Sequence, residues 1–172
     1  MKSSLILVIL LAEAQSFHVC PVHRMMDENA KSDAEWKKVL SDDEFRVLRR
    51  GETEAPGTGE YDRFQPAKGH FKCRACSNPL YSAAAKFDSG CGWPAFDKIV
   101  EGSVVTQTDN TLGMTRIEIM CSSCGGHLGH VFQNEGFTPT MERHCINSIS
   151  VVYRDRKGLL KVLLVSLSCV EK

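Results

Sequence analysis

The sequence carries no excess of charge of either sign: 21 Lys and Arg are matched by 21 Asp and Glu in 172 residues. That balance removes the electrostatic case for a nucleic acid or an anionic membrane surface as partner. Long apolar runs are missing too. The run Leu5 to Leu11 falls well short of the roughly 20 residues that span a bilayer, so no transmembrane segment is expected. Helix signals stop after Gly51, and no alternation of strand and helix follows. The rest is an ordinary globular balance, 42% hydrophobic and 24% charged, at a length that suits one core.

Cysteine is what the chain has in plenty. There are eight: Cys20, Cys73, Cys76, Cys91, Cys121, Cys124, Cys145 and Cys169. A disulfide framework is one reading, although such scaffolds are usually under about 80 residues and poor in core. Four of the eight form two C-x-x-C units, Cys73-Arg74-Ala75-Cys76 and Cys121-Ser122-Ser123-Cys124. Two residues between thiolates let one tight turn aim both sulfurs at a single ion. Two such turns close a tetrahedron, which suits a structural zinc with no open position. Gly125 and Gly126 follow the second pair, where a knuckle turn needs backbone freedom. The alternatives are two local disulfides or a redox-active C-x-x-C. The latter usually sits in a βαβ setting, and none is evident.

The N-terminus combines Met1-Lys2, the apolar run Leu5 to Leu11, and small residues at Ala12, Ala14 and Ser16. This is the pattern of a secretory signal peptide cleaved after Ala14 or Ser16. The Ala14-to-Phe17 junction resembles the bipartite presequences that lead into complex plastids. Residues 1–16 are therefore expected to be a leader and 17–31 a linker or transit segment. Secretory entry is expected, with a plastid or extracellular destination, and cytoplasm if the leader is not used.

Ser32-Asp33-Ala34-Glu35 and Ser41-Asp42-Asp43-Glu44 each read as a capping box opening a short helix. Trp36, Val39 and Leu40 make the apolar face of the first. Phe45 and Leu48 make that of the second, which Gly51 stops. Gly, Pro and Glu dominate Gly51 to Gly69, which predicts loops. Strand-type segments follow at His70–Cys73, Leu80–Phe87, Val104–Thr108, Thr115–Met120, Leu128–Phe132 and Ser148–Tyr153, separated by turn residues. The expected fold is α+β, mainly β: two N-terminal helices, then a compact antiparallel domain over 32–153. The tail, 154–172, is apolar but interrupted by lysine, and its structure is left open.

Two further cysteines stand in chemically suggestive settings. Cys145 lies in Glu142-Arg143-His144-Cys145-Ile146-Asn147-Ser148, where neighbouring cations favour the thiolate that attacks. A buried core thiol is the equal alternative. Cys91 lies between Gly90 and Gly92 ahead of Trp93, in a loop that can swing a thiol towards a partner. His127 and His130, three apart beside glycines, are candidates for acid–base or anion-stabilising work. Cys20 and Cys169 sit near no motif.

The segments CRACSNPLYSAAAKFDSGCGWPAF, CSSCGGHLGHVF and NEGFTPTMERHCINSISVVY resemble the B-type methionine sulfoxide reductases, in order, from about Trp36 to Tyr153. The resemblance implies a β-tent of two antiparallel sheets with one structural zinc on Cys73, Cys76, Cys121 and Cys124. It implies that Cys145 attacks the sulfur of methionine-R-sulfoxide in oxidised proteins. It also implies that Cys91 then forms a disulfide with Cys145, which thioredoxin reduces. His127, His130 and Asn147 match the residues around the sulfoxide oxygen, and Trp93 matches the wall against the substrate methyl group. His144 departs from the aromatic residue common at its position, and the tail is longer than usual. A monomer is expected.

Overall fold

The computed structural model describes residues 31–155. The leader, Cys20, Cys169 and all of the tail beyond residue 155 lie outside the described residues.

Both capping boxes form. Ser32 and Ser41 accept the backbone N–H of Glu35 and Glu44, whose carboxylates reach back to the serine N–H groups. The first helix, α1 (Asp33–Trp36), is a single turn. It buries Trp36 but leaves Val39, expected on its apolar face, 60% exposed. The second, α2 (Asp42–Arg50), buries Phe45, Val47 and Leu48 and ends on Gly51 at φ 70°, as an αL cap requires.

Two antiparallel sheets follow. The smaller has the order β2 (Pro79–Ser82), β1 (His70–Cys73), β9 (Val151–Arg154). The larger runs β3 (Lys86–Phe87), β4 (Ala95–Phe96), β8 (Glu142–Ile146), β7 (His127–Gln133), β6 (Arg116–Cys121), β5 (Val104–Asp109). Phe71, Leu80, Tyr81, Phe96, Ile119, Leu128, Ile146 and Val151 are buried in one core, where Tyr81 stacks on Phe96 at 4.3 Å and Phe71 meets Phe96 edge-on at 5.0 Å.

The continuous strand expected over Leu80–Phe87 is broken by a 3-10 turn at Ala83–Ala85. Three alanines offer little surface to a pleated sheet, whereas they suit a tight helical turn. Likewise Ser148–Ser150 is a 3-10 turn, and strand β9 starts only at Val151. Cys145 precedes that turn, within a strand that the residue pattern does not indicate, β8.

Candidate active site

Strand β7 carries both histidines. Residues three apart on a regular strand face opposite sides of the sheet. Here the register against β6 slips by one between Ile119–Gly129 and Met120–His127, so an extra residue stands in β7. That bulge turns His127 to the side of His130, and the two rings lie 5.5 Å apart. Across the same face, Cys145 pairs with His130, and His130 with Glu118. Gly129 lets β7 and β8 meet here: a Cβ at this position would collide with the carbonyl oxygen of Cys145.

Cys145 is half-buried, and its sulfur lies 3.7 Å from that of Cys91. Cys91, expected in an exposed swinging loop, is itself half-buried, and its thiol also faces the Trp93 carbonyl at 3.4 Å. The contact divides one proton unequally. The hydrogen bond from Cys145 brings Cys91 down to about 5, with help from Ser89 and the charge of Arg143. Cys145 is pushed up, first by Cys91 and then by burial, against the opposing charge of Arg143. Arg143 is itself fixed by a bidentate ion pair with Glu135 (2.6 and 2.8 Å) and lies over the Phe132 ring at 4.4 Å. His144 points to the opposite face, where it contacts the Tyr81 hydroxyl at 3.4 Å and Glu142 at 3.0 Å. It packs away from Cys145.

A cleft of about 170 Å³ opens beside the thiol, lined by Thr53, Trp93, Arg116, Gly129, His130, Phe132, Cys145 and Asn147. Aromatic rings form part of its wall, and polar side chains line the remainder. His127 lines the adjoining groove, together with His130 and Arg116. Each histidine is held by a carboxylate: His127 Nδ1 by Glu118 at 2.6 Å, and His130 Nε2 by Asp109 at 2.8 Å. Burial pushes His127 below its ordinary value, against the opposing pull of the Glu118 carboxylate. Asp109 is held well below the usual carboxylate range by hydrogen bonds from Thr111, then from His130 and Arg116. Asn147 is almost wholly buried; its Oδ1 accepts from the Glu54 N–H and its Nδ2 donates to the Leu128 carbonyl.

The second cysteine set lies apart from the cleft. Cys73 and Cys76 flank the turn after β1, and Cys121 and Cys124 flank the turn after β6. Their four sulfurs all lie within 4.8 Å of one another. The shortest separations cross between turns, Cys76 to Cys121 at 3.5 Å and Cys73 to Cys124 at 3.7 Å. A tetrahedron with metal–sulfur bonds of about 2.3 Å has edges of about 3.8 Å, so the cluster has the size of a tetrathiolate metal site.

This arrangement has relatives. A family model described as the SelR domain matches residues 40–155. The chain is 53% identical over 124 residues to peptide methionine sulfoxide reductase B5 of Oryza sativa subsp. japonica, covering 72% of this chain and 89% of that protein. It is equally similar, 53% over 124 residues, to the chloroplastic B3 protein of the same plant, there covering 53% of the relative. The peptide methionine sulfoxide reductase MsrB of Teredinibacter turnerae is 47% identical over 135 residues, 78% of this chain and 98% of that one. The chain belongs to the B-type peptide methionine sulfoxide reductases.

The family's fold expectation is met by the two antiparallel sheets and the cysteine cluster. Of the residues singled out in the sequence, Cys145, Trp93, His130 and Asn147 line one cleft, with Cys91 behind the thiol and His127 beside it. Sequence reasoning missed Glu118, Asp109, Arg116 and Glu54. The first three occupy alternate or opposed strand positions, where polar residues read as a solvent face. Glu54 lies in a segment with no periodicity at all.

Proposed function

We propose that this enzyme reduces methionine-R-sulfoxide in oxidised proteins to methionine, with Cys145 as nucleophile. The observation that carries the reading is the 3.7 Å contact between the Cys145 and Cys91 sulfurs at the edge of a cleft walled by Trp93. Cys91 holds the shared charge, so it takes the Cys145 proton as the Cys145 sulfur attacks the sulfoxide sulfur. The oxygen passes to Cys145, methionine leaves, and Cys145 becomes a sulfenic acid. The Cys91 sulfur then attacks the sulfenic sulfur; its own proton and the hydroxyl leave as water, and a disulfide forms. Thioredoxin supplies the two electrons and two protons that restore both thiols. Trp93 receives the substrate methyl group, and Asn147 and His130 bind the sulfoxide oxygen. His127 and His130 supply protons as that oxygen develops charge.

Zinc is the metal that suits four thiolates in a closed tetrahedral set, and Cys73, Cys76, Cys121 and Cys124 would hold it in a structural role. We assign the reductase unit to 32–153, as a monomer, with 1–16 as leader, 17–31 as linker or transit segment, and 154–172 as tail. The leader reading supports secretory entry and then a plastid or extracellular destination. Relatives named as chloroplastic favour the plastid.

The test uses two reductants. Cys145→Ser is expected to abolish turnover of an R-sulfoxide peptide with both thioredoxin and dithiothreitol. Cys91→Ser is expected to retain turnover with dithiothreitol and lose it with thioredoxin. Full activity of Cys145→Ser would refute the assignment.

A further inference from the structure

Glu54 lies in the loop between α2 and β1, and every polar group it has is engaged. Its N–H donates to Asn147 Oδ1 at 3.0 Å, and its carbonyl accepts from Trp93 Nε1 at 3.1 Å. Its carboxylate accepts the N–H groups of Ser148 at 2.5 Å and Ile149 at 3.1 Å. These amides open the 3-10 turn Ser148–Ser150, whose own N-cap residue, Asn147, makes no side-chain capping bond. Glu54 therefore caps that turn from across the fold, satisfying donors that would otherwise be orphaned. One residue thus joins the aromatic wall of the cleft, its polar end and the chain leaving β8.

We propose that Glu54 is a positioning residue that sets the spacing of Trp93 and Asn147 and fixes the orientation of the Asn147 amide. A side-chain amide has an acceptor on one branch and donors on the other. Turned over, Asn147 would set its NH2 against the Glu54 N–H and its oxygen against the Leu128 carbonyl, which it now reaches through Nδ2 at 3.1 Å. Both contacts would become repulsive. Held as it is, Asn147 spends one Nδ2–H on Leu128 and keeps the other for the cleft that it lines. A sulfoxide oxygen only accepts hydrogen bonds, so a donor is the polarity the cleft needs. The inference rests on the sulfoxide reading above. Two other ties, Gly57 N–H to the Gly92 carbonyl (2.7 Å) and Tyr61 N–H to Ser148 Oγ (3.1 Å), join the same segments. Loss of the carboxylate is therefore expected to shift the cleft and leave the fold.

The test compares Glu54→Ala and Glu54→Gln with their parent in a Trp36→Phe background, which leaves Trp93 as the one tryptophan of the two in the chain. Glu54→Gln retains one acceptor and guards against loss of fold, checked by circular dichroism and zinc content. The expected result is greater quenching of Trp93 fluorescence by acrylamide. With it, kcat/KM for an R-sulfoxide peptide with dithiothreitol falls about 10- to 100-fold, less for Gln than for Ala. Unchanged quenching, with kcat/KM within about twofold of the parent, would overturn the proposal. If the parent itself reduces neither epimer, the reductase reading has failed, and the quenching comparison still decides whether Glu54 places Trp93.

Discussion

Cys91 and Cys145 share one negative charge, and which sulfur holds it depends on the other. Cys91 sits at about 5 chiefly because Cys145 donates to it. At pH 6 it is mostly thiolate, and it regains its proton as the pH falls through 5. Iodoacetamide at pH 6 is therefore expected to modify Cys91 before Cys145, with a rate that drops below pH 5. Cys145 is raised chiefly by Cys91, so Cys91→Ser should lower the pH at which Cys145 alkylates. Peptide mass mapping across pH checks both. An alkylation profile for Cys145 that ignores Cys91 would contradict the pairing. Local sequence marks both thiols as candidates, Cys91 from its flanking glycines and Cys145 from its neighbouring cations, but leaves a buried core thiol equally open for Cys145 without the family resemblance. Their division of a proton could not be read there, because it depends on a contact across 54 positions. The same holds for His127: burial lowers it while the Glu118 carboxylate pulls it back up, and no spacing rule reveals either.

At the scale of elements, strands β1, β5, β6 and β7 fall close to the ranges their residue pattern indicates. Strand β8 was not legible as a strand. Its sequence, ERHCI, places Arg143 and Cys145 on the face of the cleft and His144 on the core face, so polarity does not alternate with burial. Strand β4 is two residues long and left no pattern to find. The bulge that aligns His127 with His130 is equally silent in sequence, although a glycine within a strand, Gly129, marks its vicinity. Gly129→Ala is expected to force β7 and β8 apart at Cys145, costing about 1–3 kcal/mol and most of the activity. Urea unfolding and turnover measured together would show it, and a silent substitution would contradict the close approach. Ser41→Ala removes the cap of α2, which packs on β7, and should cost about 1 kcal/mol in the same unfolding experiment with little effect on kcat.

For the molecule as a whole, the cysteine cluster is a joint between sheets. Cys73 ends a strand of the three-stranded sheet and Cys121 ends a strand of the six-stranded sheet. An ion held there would tie together two layers that also meet through the core and through hydrogen bonds such as that between Tyr81 and His144. Stripping the metal with a strong chelator is expected to lower the melting temperature sharply and to abolish turnover, with both recovered on adding zinc. Retention of a cooperative transition at the original temperature after complete metal loss would remove the structural role. The two C-x-x-C units announced this site because a knuckle is local. Its place between the sheets emerged only with the topology.

The proposed reaction of the Cys145 cleft is the reduction of one epimer of methionine sulfoxide, the R form. The most direct measurement gives the purified enzyme separate R and S epimers of one methionine sulfoxide peptide, with dithiothreitol as reductant, and follows methionine formation by mass. Methionine is expected from the R epimer alone. Reduction of both epimers at similar rates, or of neither, would refute that assignment.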